Sequence, residues 1–431
     1  MKRYYLIVML TFLPISLFAI KKTDGISLVQ APFPITLSGY IKNDSYWDTR
    51  QVNGSQDDQI LLYPERKKLD SNCQDINAKG QYDMVAIQTR MRFDIEGPKI
   101  KNATSHGVIE YDFFGKTTFL QTEIPNILRM RHAHFLLDWE KTQLLIGQAY
   151  HPLYITHGDP RTISFNTGIP MDTFSRNPQF RITWQPIPSL RLVWCASTQL
   201  DFKSDGPLGS SARYLRDAVV PMLDFRIETK FSDHYIGLGV DFKRLRPRLE
   251  TATGVRANET INSAIAIAYT ILNWKSFNTR TKFMFVQNGT DQSVIGGYAV
   301  HSIDSINDRR TYANLNTIAA WNDSEITKSE SIIPGWFIGF AKNLGARETI
   351  LPNVTDANGD IIEKRIFGFG TDIDYVFRFS PRLSWKVNNF LLGLEIEYTR
   401  AAYGTIDDTG NVINTDPVGN TRLLVSLFYY L

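Results

Sequence analysis

Charged residues recur at every second position along several stretches of this chain, and that spacing raises the first chemical question. In VAIQTRMRFDIEG, Arg90, Arg92, Asp94 and Glu96 share one side, while Met91, Phe93 and Ile95 share the other with Val85, Ile87 and Thr89. In GVIEYDFFG, Glu110 and Asp112 alternate with Ile109, Tyr111 and Phe113. The same rule collects Arg181, Arg191, Arg226, Lys230, Arg280, Lys282, Asp224, Glu228, Asp372, Asp374, Glu395 and Glu397 on one set of faces. Ions of both signs cannot line a dry core, where an unpaired charge is costly. Beside a water-filled channel they cost little, and rings of charge there sort solutes by sign and size. The chemistry expected is therefore electrostatic selection, with Arg90, Arg92, Arg181, Arg191, Glu110 and Asp112 as pore-lining residues.

Two stretches add to this set. In NILRMRHAHFLLDW, Arg129 and Arg131 are expected to line the pore with them. Strict alternation would then turn His132 and His134 outward, toward another subunit, unless a bulge changes the register midway. The loop after Tyr150, HPLYITHGDPRTISFNTGIPMDTFSRN, carries Asp159, Arg161, Asp172 and Arg176. Its place after the fifth strand suits a segment folding into the lumen as a constriction loop, facing basic residues on the wall.

Bond-making chemistry finds no comparable support. His132, His134, His151 and His157 match no zinc spacing and read as structural. Glu395 and Glu397 have nothing but proximity behind a catalytic role. The chain is expected to be no enzyme and to hold no metal or cofactor. A net charge of +3 does not favour nucleic acid as a partner. Cys73 and Cys195 form no metal motif or disulfide framework, and read as two free thiols.

The elements that must position these residues are strands. Short alternating runs are joined in turn by long polar loops and tight turns, the asymmetry of outer-membrane barrels with long loops outside and short periplasmic turns. The last run, NTRLLVSLFYYL, would be an aggregation hazard as an open edge and is expected to close a sheet on the first strand. Counting from both ends leaves two outward strands adjacent, so an inward strand is required between Asn288 and Ser331, best placed at Tyr312 to Trp321. Pro381, inside the long run from Ile366 to Val387, is expected at a bulge or a rim. The fold expected is all-β, a transmembrane antiparallel barrel of about sixteen strands. An aromatic content of 12% suits interfacial girdles.

The N-terminus divides the chain further. Met1 to Arg3 are basic apart from the start residue, Tyr5 to Phe18 form a short apolar core, and Ala19 suits cleavage. Residues 1–19 are expected to be a signal peptide, 20–34 a periplasmic lead-in and 35–431 the barrel. The location expected is the bacterial outer membrane.

The succession SGYIKNDSYWDTRQ, QTRMRFDIEGPK, GVIEYDFFG, RMRHAHFLLDW, LLIGQAYHPL, NPQFRITW, PGWFIGFAKNLGA and IEYTRAAYG resembles the DcaP-like family of trimeric outer-membrane porins, from Leu37 to Leu431. The resemblance implies a homotrimer of sixteen-stranded barrels passing small, often anionic, solutes. The chain departs from that family in having too short a stretch, Lys21 to Pro34, for its N-terminal coiled coil, and in ending on Leu431 where bacterial barrels usually end in Phe. The expected function is passive diffusion of small hydrophilic solutes, favouring anions. The alternative is a non-transport barrel acting as an adhesin or structural surface protein.

Overall fold

Branched and aromatic side chains at alternate positions pack well on a pleated surface, and that favours extended backbone. The computed structural model describes residues 26–28, 33–55, 58–119, 122–357 and 360–431. Their alternating runs form sixteen wall strands. In chain order these are β1 (Ile35–Asp48), β2 (Gln81–Val85 with Arg90–Glu96), β3 (Thr104–Phe119), β4 (Thr122–Asp138) and β5 (Thr142–Tyr150). Then come β6 (Arg176–Ile187), β7 (Leu190–Ser197), β8 (Met222–Phe231), β9 (His234–Leu245), β10 (Ile261–Trp274) and β11 (Phe277–Gln287). The last are β12 (Arg310–Ile326), β13 (Ile332–Asn343), β14 (Ile373–Val387), β15 (Phe390–Ile406) and β16 (Val412–Tyr430). The strand required by parity exists as β12, longer at both ends than its sequence pattern indicated. The signal-peptide expectation for 1–19 lies outside the described residues. Within the lead-in, Ile26–Leu28 pairs antiparallel with the start of β1.

Each wall strand pairs antiparallel with its neighbours, and β16 closes on β1 from Tyr40↔Tyr430 to Asp48↔Arg422. Closure leaves no open edge for another chain to extend. Two-residue turns join β8 to β9 and β14 to β15, with Ser232 and Asn388 at φ 54° and 51°, as tight hairpins need. Trp139, Trp184, Phe231, Trp274, Trp385 and Phe390 stand exposed beside the short turns. This is the aromatic girdle of a membrane interface, and the short turns beside it are those of a periplasmic end. Along β16, Leu423, Leu427 and Tyr429 face outward, while Arg422, Leu424 and Ser426 are buried inside.

Three strands depart from simple alternation. In β2 the ladder slips by one residue between Val85, opposite Asp44, and Arg90, opposite Tyr40. Ala86 to Thr89 turn, and Ile87 faces inward with Arg90 instead of outward with Met91, because an apolar cluster in the lumen receives it. In β4 the partner of Glu110 is His132 and that of Tyr111 is Met130, so Arg131 is the extra residue of a bulge. The bulge turns His132 and His134 to the inner face, which settles the alternatives for this strand against subunit contact. Pro381 sits at neither a rim nor a bulge. It pairs with Trp336 on β13, and the ladder to β15 skips Ser380 and Pro381, where the missing N–H removes a bond.

Candidate functional site

The inner wall is not charged all round. On β10 the inward residues are Ile265, Ile267, Tyr269 and Ile271, and the outward ones are alanines and a threonine. Met284 and Val286 on β11, Trp321 on β12 and Phe337 on β13 extend this apolar surface. Residues 151–175 cover it with Leu153, Ile155 and Met171. Their other side packs Phe165, Ile169 and Phe174 against Ile87 and Phe114 from β2 and β3. Burial of apolar surface stabilises by about 25 cal/mol per Å², so both docking faces hold the loop inside the barrel. Phe114 and Phe165 stack with centroids 4.7 Å apart.

A loop in that position has backbone groups that water cannot reach, and the wall supplies their partners. Lys42 on β1 donates to Ile163 O at 3.0 Å. Glu395 on β15 accepts from the N–H groups of Ile163 and Ser164 at 2.5 and 3.2 Å. Glu397 accepts from Asn166 at 2.6 Å, and Arg378 on β14 donates to Ile169 O at 2.5 Å. Across the lumen, Arg226 on β8 donates to Pro152 O at 2.7 Å. Lys282 on β11 pairs with Asp172 and donates to Leu153 O and Thr173 Oγ1 at 2.7 and 2.8 Å. The segment Ile60–Pro64, between β1 and β2, also enters the lumen. Leu61 N–H donates to Asn166 Oδ1 at 2.8 Å, Arg378 donates to Leu61 O at 2.8 Å, and Tyr403 O–H donates to Pro64 O at 2.8 Å.

Beside this loop runs a row of arginines. Arg92 and Arg90 lie 3.5 and 3.6 Å from Glu110. Arg131 bonds Glu110 at 2.6 Å, Asp112 at 3.1 Å and the Tyr150 hydroxyl at 2.6 Å. Arg129 grips Asp112 through two bonds of 3.0 and 2.8 Å. Asp201 continues the row, 3.7 Å from Arg129 and bonded by Arg176 at 2.8 and 2.5 Å. Arg92 also holds Asp94 at 2.7 Å. Five arginines thus face four carboxylates. Arg92 is 36% exposed and Arg129 21%, whereas Arg131 and Arg176 are covered.

Of the expected pore-lining residues, Arg90, Arg92, Arg129, Arg131, Glu110 and Asp112 come together in this row. Arg131 and Asp112 point inward but reach no water, because the loop lies over them; as solvent-lining groups they are corrected to buried counter-ions. Arg191 lies elsewhere, 3.0 Å from Glu228. Arg181 is opposite Cys195 and makes no side-chain hydrogen bond or ion pair among the described residues. In the loop, Asp159 and Arg161 are 3.8 Å apart, and Arg161 is half exposed. Asp172 and Arg176 are instead buried anchors, paired with Lys282 and Asp201. The wall residues Lys282, Arg226, Glu395 and Glu397 are corrected in the same sense, since they bind loop backbone or loop side chains instead of facing water. Both cysteines are free thiols.

Asp201, Tyr150 and Lys42 take part without having been expected. Asp201 and Tyr150 had no signal, since they sit in a loop and at a strand end, whereas Lys42 lies mid-strand in β1, where alternation with Asp44, Tyr46 and Asp48 could have placed it inside. The insertion of Ile60–Pro64 did have a signal. ILLYP is an apolar run inside a polar loop, and Ile60, Leu61 and Tyr63 are all buried. Where the loops meet, Ile60, Leu62, Ile169, Phe202 and Lys203 line a cavity of ≈ 320 Å³.

No protein-family model and no curated protein matches the chain. Solved structures do match its fold. The outer-membrane channel DcaP of Acinetobacter baumannii superposes with a TM-score of 0.66 at 16% identity, over 95% of this chain and 100% of that one. An anion-selective porin from Comamonas acidovorans gives 0.53 at 6% identity, over 92% and 99%. Salmonella typhi OmpF gives 0.51 at 10%, over 94% and 100%. Closed wall, apolar outer belt and loop folded inward are common to an architecture of the bacterial outer membrane, and this chain has the sixteen-stranded barrel fold of the DcaP channel.

Proposed function

We propose that this protein is an outer-membrane porin through which small hydrophilic solutes diffuse passively, with a preference for anions. The observation that carries the reading is the pairing of an inward loop with a row of five arginines against four carboxylates. A narrowed lumen with surplus positive charge attracts small anions and repels cations. Arg92, Arg129 and Arg161 are the cations that solutes would meet, with Asp159 beside them. The likeness to an anion-selective porin supports the fold in which such a row operates. The same reading includes removal of residues 1–19, no catalysis and assembly as a homotrimer; the Vibrio cholerae outer-membrane protein OmpT, of similar fold, is described in a trimer form.

Reconstitution in a planar bilayer is the test. Stepwise conductance with a reversal potential displaced toward anions is expected under a salt gradient, and purified folded protein that gives no steps would end the porin reading. One observation favours a second reading, an adhesin or structural surface barrel. Two loops pack the lumen with fully buried residues such as Leu61, Leu153 and Met171. A silent bilayer would select it.

A further inference from the structure

His151, the first residue after β5, directs its imidazole at β8 and β9, three and four strands along the inner wall. Its Nε2 is 3.1 Å from Asp224 Oδ1 on β8 and 3.8 Å from Asp241 Oδ2 on β9. Asp224 and Asp241 are direct cross-strand partners, an arrangement of like charges that destabilises a sheet. All three side chains are buried to within 1%. Among the described residues, neither oxygen of either carboxylate nor His151 Nε2 has a hydrogen-bond partner. The ring nitrogen is 3.1 Å from Asp224, yet the pair does not meet the geometry of a hydrogen bond.

The nearby cations are otherwise engaged. Lys243 is taken by Asp291 and Asn288 O, and Arg226 by Pro152 O. Arg181, on β6, stands two strands from Asp224, with Cys195 of β7 between them. Among the described residues, two adjacent carboxylates and the His151 imidazole, charged only when protonated, converge here with no lysine or arginine bonded to either carboxylate.

We propose that His151, Asp224 and Asp241 bind a first-row divalent cation such as Zn²⁺, which ties the root of the inward loop to β8 and β9. One imidazole nitrogen with carboxylate oxygens is a donor set that suits these ions. Bonds of about 2.1 Å in tetrahedral geometry set ligand atoms about 3.4 Å apart, and the two measured separations bracket that value. Ligation through Nε2 leaves the imidazole proton on Nδ1, which now accepts the Leu153 N–H at 3.3 Å. One long backbone bond is therefore exchanged for neutralisation of two buried carboxylates. Such a site runs against the expectation of no metal, which rested on sequence spacing; the three ligands would come from residues 151, 224 and 241, a separation no local motif spans.

The test uses folded full-length barrel in detergent, equilibrated with Zn²⁺ and freed of excess metal, with metal counted per chain by mass spectrometry. About one retained Zn²⁺ per chain is expected for the native protein, with at least a tenfold loss in Asp241→Asn and in Asp224→Asn. Native protein that retains none, or variants that retain as much, would overturn the site. Should the variants not fold, X-ray absorption of the native protein decides alone: one imidazole with oxygen neighbours supports the assignment, and sulfur or several imidazoles refute it. Neither outcome depends on conductance, so the site and the porin reading stand or fall separately.

Discussion

Arg92 and Arg131 belong to one row but hold opposite positions in it, and their substitutions should differ accordingly. Arg92 is partly exposed, with Asp94 and Glu110 as partners. Replacing it and Arg129 by glutamine should lower the anion-to-cation permeability ratio severalfold with the barrel intact. An unchanged reversal potential would remove both from the selective surface. Arg131 is covered and grips Glu110 and Asp112, which are themselves buried. Arg131→Met would take from Glu110 its shortest ion pair and from Asp112 one of its two arginines, and breaking a buried pair costs about 3–5 kcal/mol. Its signature is a lower urea midpoint for unfolding from micelles, and an unaltered midpoint would mean that the remaining arginines suffice.

At the scale of elements, loops are held by residues from distant strands. Arg378 joins residues 49–80 to residues 151–175 by donating to Leu61 O and Ile169 O. Arg378→Gln should loosen both loops and raise single-channel conductance. Conductance equal to the native value would separate the loops from the ion path. At the outer surface, Asp308 clamps two loops through Arg248, Arg310 and the Ala252 N–H. Partial burial works to raise its carboxyl, and those three donors overcome it, holding it down at about 2. A folded value below the unfolded one means that the clamp is fully present above about pH 4 and is lost as pH falls toward 2. Protection against hydrogen exchange in residues 248–256 and 304–310, taken relative to the intrinsic rate at each pH, should therefore fall over that window. Equal protection at pH 5 and pH 2.5 would show that other contacts hold these loops.

For the whole molecule, the seam between β16 and β1 decides whether a barrel exists. Arg422 grips Asp48 with bonds of 2.9 and 2.7 Å, and Asn420 donates to the same carboxylate at 2.7 Å. Both members of the pair are buried. Asp48→Ala leaves Arg422 without its counter-ion at the closing ladder and should destabilise the barrel by about 3 kcal/mol or more. The readout is the temperature at which the compact, heat-modifiable gel band is lost. Retention of that temperature would place seam stability in the backbone ladder alone.

Alternation is a local property, so it was readable in the chain: sixteen strands, their directions, the outward lipid face of β16 and the parity that demanded β12 all follow from periods of two. Barrel class and the candidate row Arg90, Arg92, Glu110 and Asp112 were legible for the same reason. Alternation cannot choose between two faces that are both apolar. On β10 alanines alternate with isoleucines, and only the arrival of Leu153 and Ile155 in the lumen determines that the isoleucines turn in. Nor does it foresee one extra residue, as at Arg131, where a bulge brings His132 and His134 inside. The burial of Asp172 and Arg176, the latching of loop backbone by Lys42, Glu395 and Arg378, and the meeting of His151 with Asp224 and Asp241 join residues far apart in sequence. Those contacts were decided by the tertiary structure, because a loop withdrawn from water must find its hydrogen-bond partners on whatever wall it reaches.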